Sequence, residues 1–319
     1  MSFDRLQKKI DDMQNPTVVG LDPALAHIPP YIMEKHIGEK GETLEAAAAA
    51  VTEWGLGLVD ALCDIVPAVK PQLAYYEALG PYGLMALKTI SEYAKAKGMY
   101  VIFDGKRNDI SSTAEAYSAA YLGTTTVGGS EIFAYDADAL TVNAYLGSDC
   151  IKPFIETAVK HDKAVFALVK TSNPSAGEIQ DLYFCKDYKQ GKQGKKGIQG
   201  TESDIRIYTA VGDLMEEISR DTIGEFGFTR VGAVVGATYP EEIEFLRKRL
   251  KNTFFLVPGY GAQGGSAKDV ARAFDENGRG AIINASRSII AAWKKSGGEF
   301  KTAARDEALK MREELKRII

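Results

Sequence analysis

Met99-Tyr100-Val101-Ile102-Phe103-Asp104-Gly105-Lys106-Arg107-Asn108-Asp109-Ile110 is an apolar run that ends in a knot of charge. Met99 to Ile102 has the uninterrupted apolar character of a strand buried on both faces. Asp104 and Lys106 are two apart, so on a strand they share a face. Charge is costly to bury unless it is paired. Here the pairing is written into the sequence, and the carboxylates on either side of Lys106 favour its protonated form. A lysine held charged in a pocket is a candidate general acid.

Working outward, seven more runs of the same kind appear: Thr17–Asp22, Ile65–Lys70, Ala139–Ala144, Ala164–Thr171, Val231–Ala237, Phe254–Gly259 and Ala281–Ser286. With Tyr100–Lys106 they make eight. Helical segments alternate with them, among them Thr43–Cys63, Gly83–Lys97 closed by Gly98, and Glu241–Leu250 after Pro240. Eight alternating units predict an α/β fold, a (β/α)8 TIM barrel; the alternative is a doubly wound open sheet. The chain is expected to be one barrel domain over residues 1–319, with an insertion at about 173–203 after the fifth strand. Met1 to Asn15, apolar at Phe3, Leu6, Ile10 and Met13, predicts a Ser2-capped amphipathic helix and not a signal peptide. Pro23 to Glu42 predicts a short extra helix or lid.

A net charge of −4 gives no basic field for nucleic acid, so an anionic ligand has to be caught by local cations. Cys63, Cys150 and Cys185 are far apart, and His27, His36 and His161 are scattered, so neither set has metal-ligand spacing. The cysteines read as reduced thiols of a cytoplasmic protein. No apolar run approaches the roughly 20 residues that cross a bilayer.

The polar residues of interest stand at the C-terminal ends of the runs, where barrel active sites assemble. Pro258-Gly259-Tyr260-Gly261-Ala262-Gln263-Gly264-Gly265 contains Gly-x-Gly-x-x-Gly but lies after the seventh strand, the wrong place for a dinucleotide fingerprint. A phosphate monoester suits it better: glycines let backbone N–H groups approach an anion, Gln263 adds a donor, and Arg287 after the eighth strand adds a planar cation. The plain alternative is a tight turn and a surface arginine. Lys70 either snorkels out of the barrel or joins Asp104, Lys106 and Asp109 in one charged network. Asp22 either accepts from sugar hydroxyls or shapes an Asp-Pro turn. Thr171 and Ser172, before Asn173-Pro174, either read a base edge or shape a turn. Gly191–Gly197 is a small basic, glycine-rich stretch, read as a solvated loop tip or as a flap near the ligand.

Taken together and in order, these motifs resemble orotidine 5′-phosphate decarboxylase. Asp104-Gly105-Lys106-Arg107-Asn108-Asp109-Ile110 matches the family's Asp-x-Lys-x-x-Asp-Ile, and Thr171-Ser172-Asn173-Pro174 is similar to its longer bacterial branch. The resemblance implies conversion of orotidine 5′-phosphate to UMP and CO2, the last step of de novo pyrimidine nucleotide synthesis, without metal or organic cofactor. It implies that Lys106 protonates carbon 6, that Asp104 lies against the departing carboxylate, and that Lys70 and Asp109 complete the array. It implies a homodimer in which Asp109 and Thr113 serve the partner's site. Asp22 would hold the ribose, Ser172 the pyrimidine edge, and Pro258, Gly261, Gln263, Gly264 and Arg287 the phosphate end. The rival is a metal-dependent sugar-phosphate decarboxylase or aldolase of the same barrel group, in which a glutamate usually stands where this chain has Lys70; a cation there repels a metal. A non-catalytic phosphate-binding barrel is a further class, but it has no use for the charge cluster.

Overall fold

A computed structural model describes residues 1–184, 205–261 and 264–319. Eight parallel strands close into a barrel: β1 Thr17–Leu21, β2 Ala68–Pro71, β3 Tyr100–Arg107, β4 Ala139–Val142, β5 Ala164–Lys170, β6 Val231–Val235, β7 Phe255–Val257 and β8 Ala281–Ala285. Closure is made by β1 against β8, with Thr17 opposite Ile283, which rules out the open sheet. Each expected run holds one barrel strand. The largest boundary difference is at β2, which starts at Ala68 because Ile65 and Val66 still donate to the Leu62 carbonyl at the end of the preceding helix.

Alternation sorts the side chains. On β8, Ala281, Ile283 and Ala285 pack outward against the helices, while Ile282 joins the interior cluster. The same phase turns Val18, Ala68, Ile102 and Ala139 inward on β1 to β4. Continued two residues further, it aims Gly20, Lys70, Asp104 and Thr141 at the interior near the C-terminal mouth.

The N-terminal end is filled by the helix Ser2–Met13. Its Phe3, Leu6 and Ile10 join the interior cluster, and the Phe3 ring lies 4.9 Å from Phe166 and 5.0 Å from Phe254. The expected Ser2 cap is not made. Ser2 is the first helical residue, and its hydroxyl is bonded instead to the Tyr100 hydroxyl at 2.7 Å. Tertiary contact has taken the hydroxyl that local sequence assigns to the helix end. Arg5 of the same helix pairs with Asp138 and Asp162.

Elsewhere the local signals hold. Thr43 caps the helix Leu44–Leu62 by accepting from Ala46 N, and Pro240 opens the helix Pro240–Arg249. The 23–42 connection forms a short turn at Leu25–His27 and a helix at Pro30–Lys40. After β5, Tyr183–Phe184 pairs antiparallel with Ile205–Arg206, and Lys170 and Asp181 meet at 2.5 Å beneath this stem. The basic stretch Gly191–Gly197 lies outside the described residues. Among the described residues, no helix is long and apolar enough to cross a membrane.

Candidate active site

Three charges converge at the mouth. Lys70 Nζ lies 2.6 Å from Asp104 Oδ2, and Lys106 Nζ lies 2.6 Å from Asp104 Oδ1. Lys70 is 4% exposed, so it is a network member and not a snorkelling side chain. Burial alone would drive its ammonium to the neutral form. Asp104 and Asp22 outweigh that and hold it above the ordinary lysine value. Burial likewise opposes ionisation of Asp104, yet Lys70 and Lys106 hold its carboxyl well below the usual carboxylate range. The Lys106 side chain is the most open of the three, at 46% exposure, and faces the mouth.

The strand does not deliver this geometry by simple alternation. The β3–β4 register shifts between Phe103 and Arg107, and Lys106 has a φ of 49°. That is the left-handed region, which costs a non-glycine residue roughly 1–2 kcal/mol. Asp104 and Lys106 do meet, but across a bulge instead of along a regular pleat.

Two residues that sequence reasoning missed complete the carboxylate's shell. Gln72 Nε2 donates to Asp104 Oδ2 at 3.0 Å, and the Thr141 hydroxyl donates to Asp104 Oδ1 at 3.0 Å. The available signal was phase: Gln72 is two residues past Lys70, and Thr141 is the lone polar side chain of Ala139-Leu140-Thr141-Val142.

Asp22 follows β1 beside this array. Its Oδ1 is buried and has no hydrogen-bond partner among the described residues. Asn284 on β8, also missed, has an Oδ1 in the same condition. Asn284 and Ser286 press on Gly20 of β1, where a Cβ would lie 1.9 Å from Ser286 Oγ and 3.3 Å from Asn284 Oδ1. A larger residue at this position would displace the Ser286 side chain.

The Pro258–Gly265 loop and Arg287 follow adjacent strands, β7 and β8. The described part of the loop is bonded to itself. Gly261 N donates to Gly265 O, Gly264 N to Gly261 O, and Gly265 N to Gly259 O. The Pro258 carbonyl accepts from Ala237 N. The amides of Gly261, Gly264 and Gly265 are thus engaged within the loop, where the sequence led to the expectation of glycine amides facing an anion. Arg287 is exposed and makes no ion pair among the described residues, so its guanidinium is open to a ligand. Gln263 lies outside the described residues.

After β5 the two hydroxyls divide. Thr171 is engaged by Gln180, which bonds both its N–H and its hydroxyl, and by Asn173. It shapes the turn. Ser172 sits against Gly236, where a Cβ would come within 2.8 Å of it, and its hydroxyl has no such partner among the described residues.

Asp109 is not brought into the array. Its Oδ1 accepts from Ile110 N at 2.7 Å, and it makes no ion pair among the described residues. Thr113 is exposed on the first turn of the helix Ser111–Tyr121. Ile110 (60% exposed), Tyr145 (82%) and Leu146 (48%) lie on the two segments joined here by the Asn108 side chain and the Asn143 carbonyl.

Residues 51–297 match the model of the Orotidine 5′-phosphate decarboxylase / HUMPS family. The chain is 43% identical to the orotidine 5′-phosphate decarboxylase of Rhodopirellula baltica over 90% of its own length and 87% of the relative's. It is 39% identical to that of Caldicellulosiruptor bescii, covering 91% and 90% of the two chains. A solved structure of Leishmania donovani OMP decarboxylase superposes with a TM-score of 0.70 at 29% identity, covering 99% and 98% of the two chains.

Proposed function

Since the chain belongs to the orotidine 5′-phosphate decarboxylase family and converts orotidine 5′-phosphate to UMP and CO2, the last step of de novo pyrimidine nucleotide synthesis, we propose a specific division of labour around its barrel mouth. The observation that carries it is the Lys70–Asp104–Lys106 array, a buried carboxylate clamped between two ammonium groups at 2.6 Å each. Loss of orotidylate absorbance on adding the purified chain tests the reading, and unchanged absorbance ends it.

Around the rim the order β7, β8, β1, β2, β3 is continuous. It runs from the glycine loop and Arg287, past Asp22, to the charge array. That sequence parallels phosphate, ribose and reacting pyrimidine carbon in the substrate. Arg287 binds the phosphate with Gln263, and the tight loop gives that end its shape. The unpartnered Asp22 Oδ1 accepts from a ribose hydroxyl, which relieves a buried acceptor. Ser172, across the mouth, bonds the pyrimidine edge.

Chemistry follows at carbon 6. The substrate carboxylate lies against Asp104, and the carbon–carbon bond breaks with its electron pair left on carbon 6. The Lys106 ammonium stabilises that pair and gives it a proton, so UMP and CO2 leave and the amine is regained as ammonium from solvent. One unit charge at 4 Å contributes about 4 kcal/mol at an effective dielectric of 20. Demanding enzymes lower barriers by roughly 20 kcal/mol. The remainder comes from binding energy at the phosphate end, spent on placing the reacting carbon. No metal or organic cofactor enters this scheme. Lys70 fills with an ammonium the position from which a metal-dependent relative would coordinate its ion.

Arg287→Ala is expected to raise KM roughly 10–100-fold, the worth of about 1.5–3 kcal/mol for hydrogen bonds to a charged group. The control is orotidine without its phosphate. Wild type and variant should turn it over equally slowly, and a difference there removes Arg287 from the phosphate site.

The active form is a homodimer. Asp109 is free of Lys70 and Lys106 in its own chain, and the apolar side chains of Ile110, Tyr145 and Leu146 beside it suit a second copy. Asp109 and Thr113 then complete the partner's site. Lys106→Ala and Asp109→Ala should each be nearly inactive alone. Mixed and reassociated in equal amounts they should recover about one quarter of wild-type activity, since half the dimers hold one intact site. No recovery on demonstrated exchange of subunits places Asp109 in its own pocket. The reaction and the unpaired described cysteines Cys63 and Cys150 suit the cytoplasm.

A further inference from the structure

The bulge at the end of β3 creates a problem that one side chain solves. Between Phe103 and Arg107 the strand leaves its ladder with β4, and Lys106 is turned to a φ of 49°. The Lys106 N–H therefore needs a partner other than a ladder carbonyl. It donates to the Thr141 hydroxyl oxygen at 2.9 Å. That hydroxyl in turn gives its own proton to Asp104 Oδ1 at 3.0 Å, the same oxygen that accepts from Lys106 Nζ at 2.6 Å.

A closed ring results. It runs from the Lys106 backbone through Thr141 to Asp104, and back through the ammonium to the same lysine. Thr141 is 1% exposed and sits on a regular part of β4, opposite Phe166 of β5. It is thus a fixed point in the barrel wall to which both ends of a long flexible side chain are tied. Valine would fill the same volume and satisfy the strand equally well. What valine lacks is the ability to accept from one neighbour and donate to another.

We propose that Thr141 is a positioning residue for the decarboxylation: it holds the kinked Lys106 backbone and the Asp104 carboxylate in one geometry, and so sets where the Lys106 ammonium stands. The proposal rests on the reading that Lys106 and Asp104 do the chemistry. Thr141 acts through them, and its effect belongs to kcat and not to substrate binding.

The test compares Thr141→Val and Thr141→Ser with wild type and Lys106→Ala, measuring kcat, KM and thermal unfolding. Thr141→Val should fold and lose kcat by about 10–100-fold, the scale of an ångström of misplacement, with KM changed less than about threefold. Thr141→Ser, which keeps both hydrogen bonds, should regain kcat to within about threefold of wild type. Should Thr141→Val fail to fold, Thr141→Ala takes its place with the same expectation. Wild-type kcat in the valine or alanine variant overturns the proposal. So does a serine variant as slow as valine, or a loss carried by KM. If wild type is inactive, or Lys106→Ala matches it, the catalytic reading itself has failed. If those two behave as expected and Thr141→Val is fast, only the role of Thr141 has failed.

Discussion

Lys106→Ala is expected to lower kcat by at least about 10⁴-fold, because in the proposed scheme it removes both the proton donor and the charge facing carbon 6. UMP binding should change far less, since the residues proposed for the phosphate and ribose ends follow other strands. The loss therefore belongs to the chemical step. The fate of the proton gives an independent reading. Wild-type turnover in D2O should place deuterium at carbon 6 of UMP, and the rate should respond to the isotope only as far as proton delivery limits it. A Lys106→Ala variant within about tenfold of wild type would dismiss the lysine as the acid. The scheme would then lose its central group, whatever the fate of the remaining assignments.

Asp104→Asn has the second large effect, and it falls on stability as well as rate. Among the described residues, Asp104 is the only carboxylate that touches both Lys70 and Lys106. Neutralising it leaves Lys70, 4% exposed, as a buried ammonium without its partner. Breaking such a pair costs about 3–5 kcal/mol, visible as an earlier urea midpoint. The pH dependence has a definite sign. The folded-state value of Asp104 is lowered, so its contribution is present above the unfolded carboxylate value and is lost as pH falls through the folded value. The folded-state value of Lys70 is raised, so its contribution is present below the unfolded lysine value and is lost as pH rises through the folded one. The gap between wild type and Asp104→Asn should stay level from about pH 5 to 9 and narrow below about pH 4. A gap that widens in acid contradicts the charge assignment.

The barrel was legible because a parallel strand covered on both faces must be apolar at nearly every position. Eight such runs with helices between them leave few alternatives. Lys70, Asp104 and Lys106 were legible because a charge at the tip of such a run has to be explained. Other features depend on contacts distant in the chain. Thr141 resembles filler in an apolar strand until the β3 bulge presents it with an N–H to receive. Gln72 matters only because β2 and β3 are neighbours. The hydroxyl of Ser2 is drawn to Tyr100, 98 residues away, and no rule of helix ends reports that. The inner bonding of the glycine loop is hidden for a different reason. Composition tells that its backbone can approach an anion, but not that the Gly261, Gly264 and Gly265 amides bond carbonyls of the same loop. The split between Thr171 and Ser172 likewise depended on Gln180, whose reach back to the strand end is set by a turn.

The helix that fills the floor of the barrel also bears on how the chain acquires its shape. Phe3 rests on Phe166 and Phe254, and β1 has β8 as one of its two neighbours. On a growing chain the helix and β1 thus wait for β7 and β8, more than 230 residues later, before their apolar faces are covered. Domains of this size fold through partly formed states, and contacts so far apart in sequence form slowly. Folding that proceeds strictly from the N-terminus has no complete product here. Nascent β1 and its helix stay exposed until β7 and β8 arrive, and this interval is when the chain is most vulnerable to aggregation or most in need of a chaperone.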